Sequence, residues 1–373
     1  MDKKKILFFI YEMGAGGAAR TLLNILNHLD RNKFEPILVT LNYNGSYETS
    51  LKSDVTFIKL ETKRLRSAIL PLAKVIRKQQ PDIVFSTIPN YNIIAILARL
   101  LSFTKTKNVV REAALLGNEN SFNMKLIIYG LFYRLSRKVI SLSEGVKGNL
   151  VEHYKVKPGN IEVIYNPIDI EQIQSDANSG IIPKEHEHIF KPDKKVIITA
   201  GRLVKDKDHQ TLIKAFSKVN HQLNCELVIL GEGPLKDDLR KLTKNLQVEQ
   251  NVHFIGFQQN PYVYFKQADL FALSSLSEGF GHVLVEALAV GLPIVSTNCK
   301  PGAEEVLENG KYGELCEVGN HEEMAMKIKA ILSLNKNETT DVIEKGLQRA
   351  KKFAVQEIVN QYEETFMKII DRR

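Results

Sequence analysis

Short apolar, β-branched runs alternate along the chain with longer segments whose apolar residues recur at helical spacing. KILFFI precedes a helical segment at 18–29, PILVTL and VTFIKL precede 68–79, and DIVFST precedes 92–101. The alternation restarts at VIITAGR before 209–219. It continues through ELVILG before 235–246, VHFIG, DLFALSS before 282–288, and PIVST. Strands followed by helices at this spacing predict parallel sheets built from right-handed βαβ units. The fold class is α/β, with the pattern run twice.

Between the two runs, residues 176–194 (DANSGIIPKEHEHIFKPDK) are weakly periodic and rich in Pro, His and charge. They read as a linker, so Rossmann-like domains are expected at 1–178 and 195–354, joined by 179–194. The last periodic stretch repeats apolar residues at Val355, Ile358, Val359, Tyr362, Phe366 and Ile370. Such a helix needs a surface to cover, and residues 355–373 are expected to pack back on the first domain.

Composition narrows this picture. A chain of 373 residues, 44% hydrophobic and 25% charged, has material for two cores and is not a single small binding module. Cys225, Cys299 and Cys316 form no CxxC pair and no zinc spacing, which favours packing roles in a reducing compartment. The start, MDKKKILFFIYEMG, holds too short an apolar run for a signal peptide or a membrane span, so a cytoplasmic protein is expected. The net charge of +8 is unevenly spread: residues 1–180 hold 25 Lys and Arg against 16 Asp and Glu, and the remainder is near neutral. A basic half implies an anionic partner, either nucleic acid or an acidic membrane leaflet, with a plain solubility surface as the alternative.

Two stretches of that half, 91–101 and 122–140, are too short or too interrupted by charge to span a bilayer. The second mixes Phe122, Leu126, Tyr129, Phe132 and Tyr133 with Lys125, Arg134, Arg137 and Lys138. That is the composition of a helix lying on an anionic leaflet, or of a core helix with a basic outer face.

After the first strand comes Gly14-Ala15-Gly16-Gly17-Ala18-Ala19-Arg20. Glycines let the backbone approach a ligand, and the helix start behind them offers unpaired N–H groups to an anion. The spacing fits the dinucleotide fingerprint, yet PILVTL is followed by no acid before Glu48 to hold a ribose. A phosphate or sugar contact at Gly16 and Gly17, or a simple tight turn, is therefore favoured over a nicotinamide site.

The densest chemistry lies in Glu278-Gly279-Phe280-Gly281-His282-Val283-Leu284-Val285-Glu286. Glu278 stands in a loop just after a strand, where open α/β sheets bind ligands. The N–H groups of Gly281, His282 and Val283 open a helix and suit a phosphate. Glu286 lies about 4.5 Å further along the helix axis than Val283, within reach of both hydroxyls of a ribose. Upstream, Gly201-Arg202-Leu203-Val204-Lys205-Asp206-Lys207 puts Arg202 and Lys207 at a strand-to-loop edge, suited to neutralising a departing diphosphate. Gly231-Glu232-Gly233-Pro234 and Phe254-Ile255-Gly256 end further strands at that same edge.

Taken together, the N-terminal glycine loop, GRL with a lysine five residues on, GEGP, HFIGF, EGFGHVLVEALAVGLPIVST and PGAEEVL resemble the family 4 retaining glycosyltransferases of GT-B fold, of bacterial surface-polysaccharide type. The resemblance covers essentially the whole chain. It implies two Rossmann-like domains facing across a cleft, the first for the acceptor and the second for the nucleotide-sugar donor. It further implies that Arg202 and Lys207 bind the donor diphosphate, Glu278 contacts the transferred sugar and Glu286 holds the ribose. The amides of Gly281, His282 and Val283 cap the phosphates, Ile255 lies beside the base, and Gly16 and Gly17 adjoin the reacting centre.

The implied reaction moves a hexose or N-acetylhexosamine, with a UDP-sugar as donor, GDP-mannose as the alternative, and no cofactor. The implied acceptor is a polyprenyl-diphosphate-linked glycan at the inner face of the plasma membrane, in capsule, exopolysaccharide, O-antigen or teichoic acid assembly. Nucleic acid then drops out as partner. Two other readings are a sugar-nucleotide epimerase of the same fold and a catalytically silent partner subunit. Double displacement would need a carboxylate on the far face of the sugar, whereas the resemblance places Glu278 by the donor's distal hydroxyls and implies front-face departure. No metal is expected: the Asp206-Lys207-Asp208 triplet has a lysine at its centre. Many relatives carry a histidine in a segment like VVREAALLGN, where this chain has Arg111, Glu112, Ala113 and Ala114. Either Arg111 or Glu112 takes over that contact or the donor is read differently, and His282 is expected to act through its backbone rather than as a base.

Overall fold

A computed structural model describes residues 3–14, 16–113, 115–116 and 123–371; Ala15, Ala114 and Phe122 lie outside the described residues. The chain divides into two compact units, Met1–Ile168 with Val355–Arg373, and Asp169–Ala354.

The first unit runs β1 (Lys4–Phe9), α1 (Gly17–His28), β2 (Phe34–Thr40), β3 (Thr56–Lys59), α2 (Ile69–Gln79), β4 (Ile83–Thr87), α3 (Pro89–Ser102), β5 (Lys107–Glu112), α4 (Met124–Tyr133), β6 (Lys138–Ser141), α5 (Glu144–Glu152) and β7 (Ile161–Val163). Its strands form one parallel sheet in the order β3-β2-β1-β4-β5-β6-β7. Successive residues of a strand face opposite sides of the sheet. Ile6 and Phe8 accordingly pack with Leu22, Ile25 and Leu26 of α1, while Leu7 and Phe9 pack with Leu72 and Ile76 of α2. Both faces are covered, which is why these strands read as unbroken apolar runs.

The second unit runs α6 (Ile170–Ser179), β8 (Lys195–Ala200), α7 (His209–Asn220), β9 (Cys225–Leu230), α8 (Lys236–Asn245), β10 (Val252–Gly256), α9 (Tyr262–Gln267), β11 (Leu270–Leu273), α10 (His282–Ala289), β12 (Ile294–Thr297), α11 (Gly302–Val306), β13 (Glu314–Cys316), α12 (His321–Leu332) and α13 (Lys336–Lys351). The sheet order is β10-β9-β8-β11-β12-β13, again parallel. The three cysteines are free and buried.

The last helix, α14 (Val355–Asp371), belongs to the first unit. Phe366 packs edge-on against Phe8, Phe34 and Phe85 at centroid distances of 6.3, 6.3 and 5.8 Å. Lys107 Nζ donates to the carbonyls of Ile369 and Ile370 at 2.7 and 3.1 Å, satisfying the helix end.

The division at 168/169 differs from the domain limits expected above. Helix α6 packs on α9 and α10, and Gln174 Nε2 donates to the Ala289 carbonyl at 2.9 Å. Residues 179–194 are not a bare connection either: Ile189 is buried, and His186 Nδ1 lies 2.9 Å from the Tyr264 hydroxyl. The polar, Pro-rich composition hid these single anchors. With the observed division the charge asymmetry sharpens to 28 Lys and Arg against 17 Asp and Glu in the first unit, and 23 against 26 in the second.

Each sheet has one point where connections leave to opposite sides, between β1 and β4 and between β8 and β11. At such points the loops part and leave a crevice outside the carboxyl ends of the strands.

Candidate active site

At the β8/β11 point the loop after β8 carries Arg202 and Lys207, and the loop after β11 carries Ser274, Ser275 and Glu278. Lys207 Nζ donates to Glu278 Oε1, which also accepts from Ser275 Oγ at 2.8 Å. Ser274 Oγ donates to the Lys207 carbonyl at 3.0 Å, and the Leu276 N–H donates to the Asp206 carbonyl at 2.8 Å. The two loops are thus stitched through main chain as well as through charge. Lys207 and Glu278 keep 23% and 14% of their side-chain surface, enough to meet a ligand from one side. Arg202 is exposed and makes no side-chain hydrogen bond or ion pair among the described residues.

Neighbouring loops close around this pair. Gly231, with φ of +135°, lies so near the Gly201 carbonyl that a Cβ would stand 2.0 Å from its oxygen. Only glycine fits there, which accounts for the first residue of GEGP. A Cβ on Gly302 would stand 2.7 Å from the Phe280 carbonyl, and the Gly302 N–H donates to the Glu278 carbonyl at 2.9 Å. The PGA turn therefore buttresses the glutamate loop from below.

Gly281, at φ of +81°, caps α10 and starts it just beyond that loop. His282 and Val283 are the first two residues of α10, and the Leu284 N–H donates to the Gly281 carbonyl at 3.0 Å. Phe280 is buried between the His282 and Phe353 rings at 5.5 and 5.3 Å. Glu286, one turn further on, is 4% exposed. Arg202, Lys207, Glu278 and the start of α10 thus follow the carboxyl ends of β8 and β11, while Glu286 is buried within α10. Asp208, the second acid of the DxD-like triplet, is occupied as the cap of α7, accepting from Thr211 Oγ1 at 2.6 Å. No group of three metal-ligating side chains occurs among the described residues.

Ile255 is half-buried at the edge strand β10. It borders a groove of about 520 Å³ lined by His186, His188, Arg240, Lys244 and His253, which runs along the outer edge of the sheet rather than at the β8/β11 point. Gly16 and Gly17 are exposed at the start of α1, in the first unit.

Arg111 and Glu112 are not surface contacts. Arg111 donates to Thr87 Oγ1 at 3.0 Å, to the Tyr362 hydroxyl at 3.2 Å and to Asn166 Oδ1. Glu112 accepts from the Tyr133 and Tyr154 hydroxyls at 2.9 and 3.4 Å. Burial and Glu112 push both phenol pKa values far up, so these tyrosines remain donors. Arg111 and Glu112 are 1% exposed or less and hold the core of the first unit together, which speaks against the alternative in which one of them meets the sugar.

Ser274 and Ser275 are the site residues that sequence reasoning passed over. Two serines ending the apolar run DLFALSS were the available signal.

The chain is thus built of two parallel α/β sheets, the second bearing a cationic loop and a glutamate loop at its crevice. Residues 15–172 match the family described as Glycosyltransferase Family 4, and residues 182–349 match Glycosyl transferases group 1. The N-acetylgalactosamine-N,N'-diacetylbacillosaminyl-diphospho-undecaprenol 4-alpha-N-acetylgalactosaminyltransferase of Campylobacter jejuni is 33% identical over 89% of this chain and 91% of its own. A glycosyltransferase from Rickettsia africae superposes with a TM-score of 0.84 at 21% identity over the whole of both chains. Anabaena Alr3699/HepE in complex with UDP and glucose superposes with a TM-score of 0.83 at 22% identity, over 98% of this chain and all of that one. The chain belongs to the family 4 glycosyltransferases, and its fold is GT-B.

Proposed function

We propose that this glycosyltransferase moves a hexose or N-acetylhexosamine from a UDP-sugar to a lipid-linked glycan in surface-polysaccharide assembly, with retention of configuration and without a metal. The observation that carries the reading is the braced Lys207–Glu278 pair beside the amides of His282 and Val283. A diphosphate draws Lys207 and Arg202 to its oxygens and takes the amides at the helix start. Glu278 is then released to accept hydrogen bonds from the sugar hydroxyls, and Glu286 accepts those of the ribose. The bond from C1 to the diphosphate breaks, the bond from C1 to the acceptor oxygen forms on the same face, and the acceptor proton passes to the departing phosphate. Arg202, Lys207 and the helix start stabilise the charge that develops there.

The UDP reading is supported by the nucleotide in the Anabaena complex, and the lipid-linked acceptor by the undecaprenol-linked substrate of the Campylobacter relative. No helix among the described residues is long and apolar enough to cross a membrane. Helix α4 has a second apolar face, however. Leu126, Tyr129 and Tyr133 face the core, while Met124, Ile128 and Leu131, with Leu135 just beyond the helix, are 44–59% exposed beside Lys125, Arg134 and Arg137. A peripheral, cytoplasmic-leaflet docking face of a basic unit fits this pattern. A thermal-shift screen of sugar nucleotides tests the donor assignment: UDP-sugars should raise the melting temperature, and stabilisation by GDP-mannose alone would refute it.

A further inference from the structure

The β1/β4 crevice of the first unit carries a feature with no role so far. Glu12 follows β1, is half-buried, and makes no hydrogen bond or ion pair among the described residues. Its neighbours are firmly held: the Tyr11 carbonyl accepts from the Leu41 N–H at 3.0 Å, and the Met13 carbonyl accepts from the Tyr47 N–H at 2.9 Å. The carboxylate lies over Gly14, where a Cβ would stand 3.0 Å from Glu12 Oε1.

Beside it stand three half-buried tyrosines. Tyr11 stacks on Tyr43 at 4.8 Å and on Tyr91 at 5.9 Å, so the ladder bridges the end of β1 and the start of α3 across the crevice. Tyr11 and Tyr43 both donate to the Lys63 carbonyl, at 3.4 and 3.2 Å. Asn90 accepts from the Tyr129 hydroxyl through Oδ1, which leaves its exposed Nδ2 as a donor. The turn that presents Asn90 and Tyr91 is strained: Ile88, β-branched, holds φ of +77°. Such conformations persist where the surroundings enforce them, and they gather at binding sites.

We propose that this crevice is a subsite for a neutral sugar ring of the acceptor, with Glu12 accepting hydrogen bonds from its hydroxyls, Asn90 donating to one, and the tyrosine ladder meeting its C–H face. The inference rests on the glycosyltransferase reading and adds a specificity. With no cation paired to it among the described residues, the carboxylate repels a uronate or phosphate at that position, so the ring it accepts is uncharged. The hydrogen bond with Tyr43, then burial and the nearby Glu12, also hold the Tyr11 pKa up to about 12, so its hydroxyl stays protonated.

The test is saturation-transfer NMR on the full chain with methyl glycosides of glucose, galactose, N-acetylgalactosamine and glucuronic acid. At least one neutral glycoside should take up saturation and the glucuronide should not. Glu12→Gln, which keeps the shape and removes the charge, should weaken the neutral glycoside roughly tenfold, as expected for a hydrogen bond to a charged group, and should narrow the gap to the glucuronide. Absence of any neutral glycoside signal, or identical signals from wild type, Glu12→Gln and Tyr91→Ala, would overturn the proposal. The sugar-nucleotide screen on the wild-type chain decides the parent reading independently.

Discussion

Lys207 and Glu278, 71 residues apart in the chain, neutralise one another where the second sheet changes its direction of winding. On the proposed function, the pair is broken when a ligand supplies phosphate for Lys207 and hydroxyls for Glu278. Removing Glu278 should therefore act in opposite directions on product and on catalysis. Glu278→Ala leaves Lys207 free for phosphate and should tighten UDP binding by a few-fold, since partly exposed ion pairs are worth up to roughly 1 kcal/mol. Transfer should fall by about a hundredfold or more, the scale of losing a preorganised polar contact. Calorimetric titration of UDP alongside turnover checks both signs.

Gly302 supports the glutamate loop from beneath. Gly302→Ala drives a methyl group into the Phe280 and Glu278 carbonyls. Overpacking of this kind costs about 1–3 kcal/mol. Urea unfolding should show that loss, and the folded fraction should retain less transfer activity than wild type, because the displaced loop carries Glu278.

His209, at the first position of α7, is buried close to Lys207. Burial, with Lys207 as the lesser cause, lowers its pKa from 6.5 to about 4. Between those values the unfolded chain binds a proton that the folded chain does not. The ring's contribution is thus complete above pH 6.5 and is lost as the pH falls towards 4, up to about 3 kcal/mol. His209→Gln should flatten this term, so the variant's unfolding midpoint should approach that of wild type between pH 7 and pH 5. A gap constant over that range would contradict the assignment.

The outer face of α4 should carry the membrane interaction. Ile128→Glu with Leu131→Glu should abolish binding to vesicles containing phosphatidylglycerol and leave the melting temperature nearly unchanged, because both residues are exposed. Wild-type binding should weaken steeply between about 50 and 500 mM salt. Co-sedimentation of both forms checks this.

Much of the fold was legible because both sheets are buried on two faces, so β1, β4, β8 and β9 stand out as apolar runs between amphipathic helices. Strands β7 and β13, three residues each, are too short to show a period. The candidate site residues stand out singly in the sequence, as charges and glycines at strand ends. Their relationships do not. The Lys207–Glu278 pair exists because β8 lies next to β11, and no local pattern encodes that adjacency. Arg111 and Glu112 misled for the converse reason: charged residues after an apolar strand read as a surface, whereas Asn92, Tyr133, Tyr154 and Tyr362 arrive from distant elements to bury them.

On the proposed function, the crevice of the second sheet binds and activates a UDP-sugar. Release of UDP from a panel of UDP-hexoses and UDP-N-acetylhexosamines, in wild type and in Lys207→Ala, tests it most directly. Slow release from at least one donor is expected of the wild-type chain, falling by about a hundredfold in the variant. Release at equal rates in both, or from no UDP-sugar at all, would contradict the proposed function.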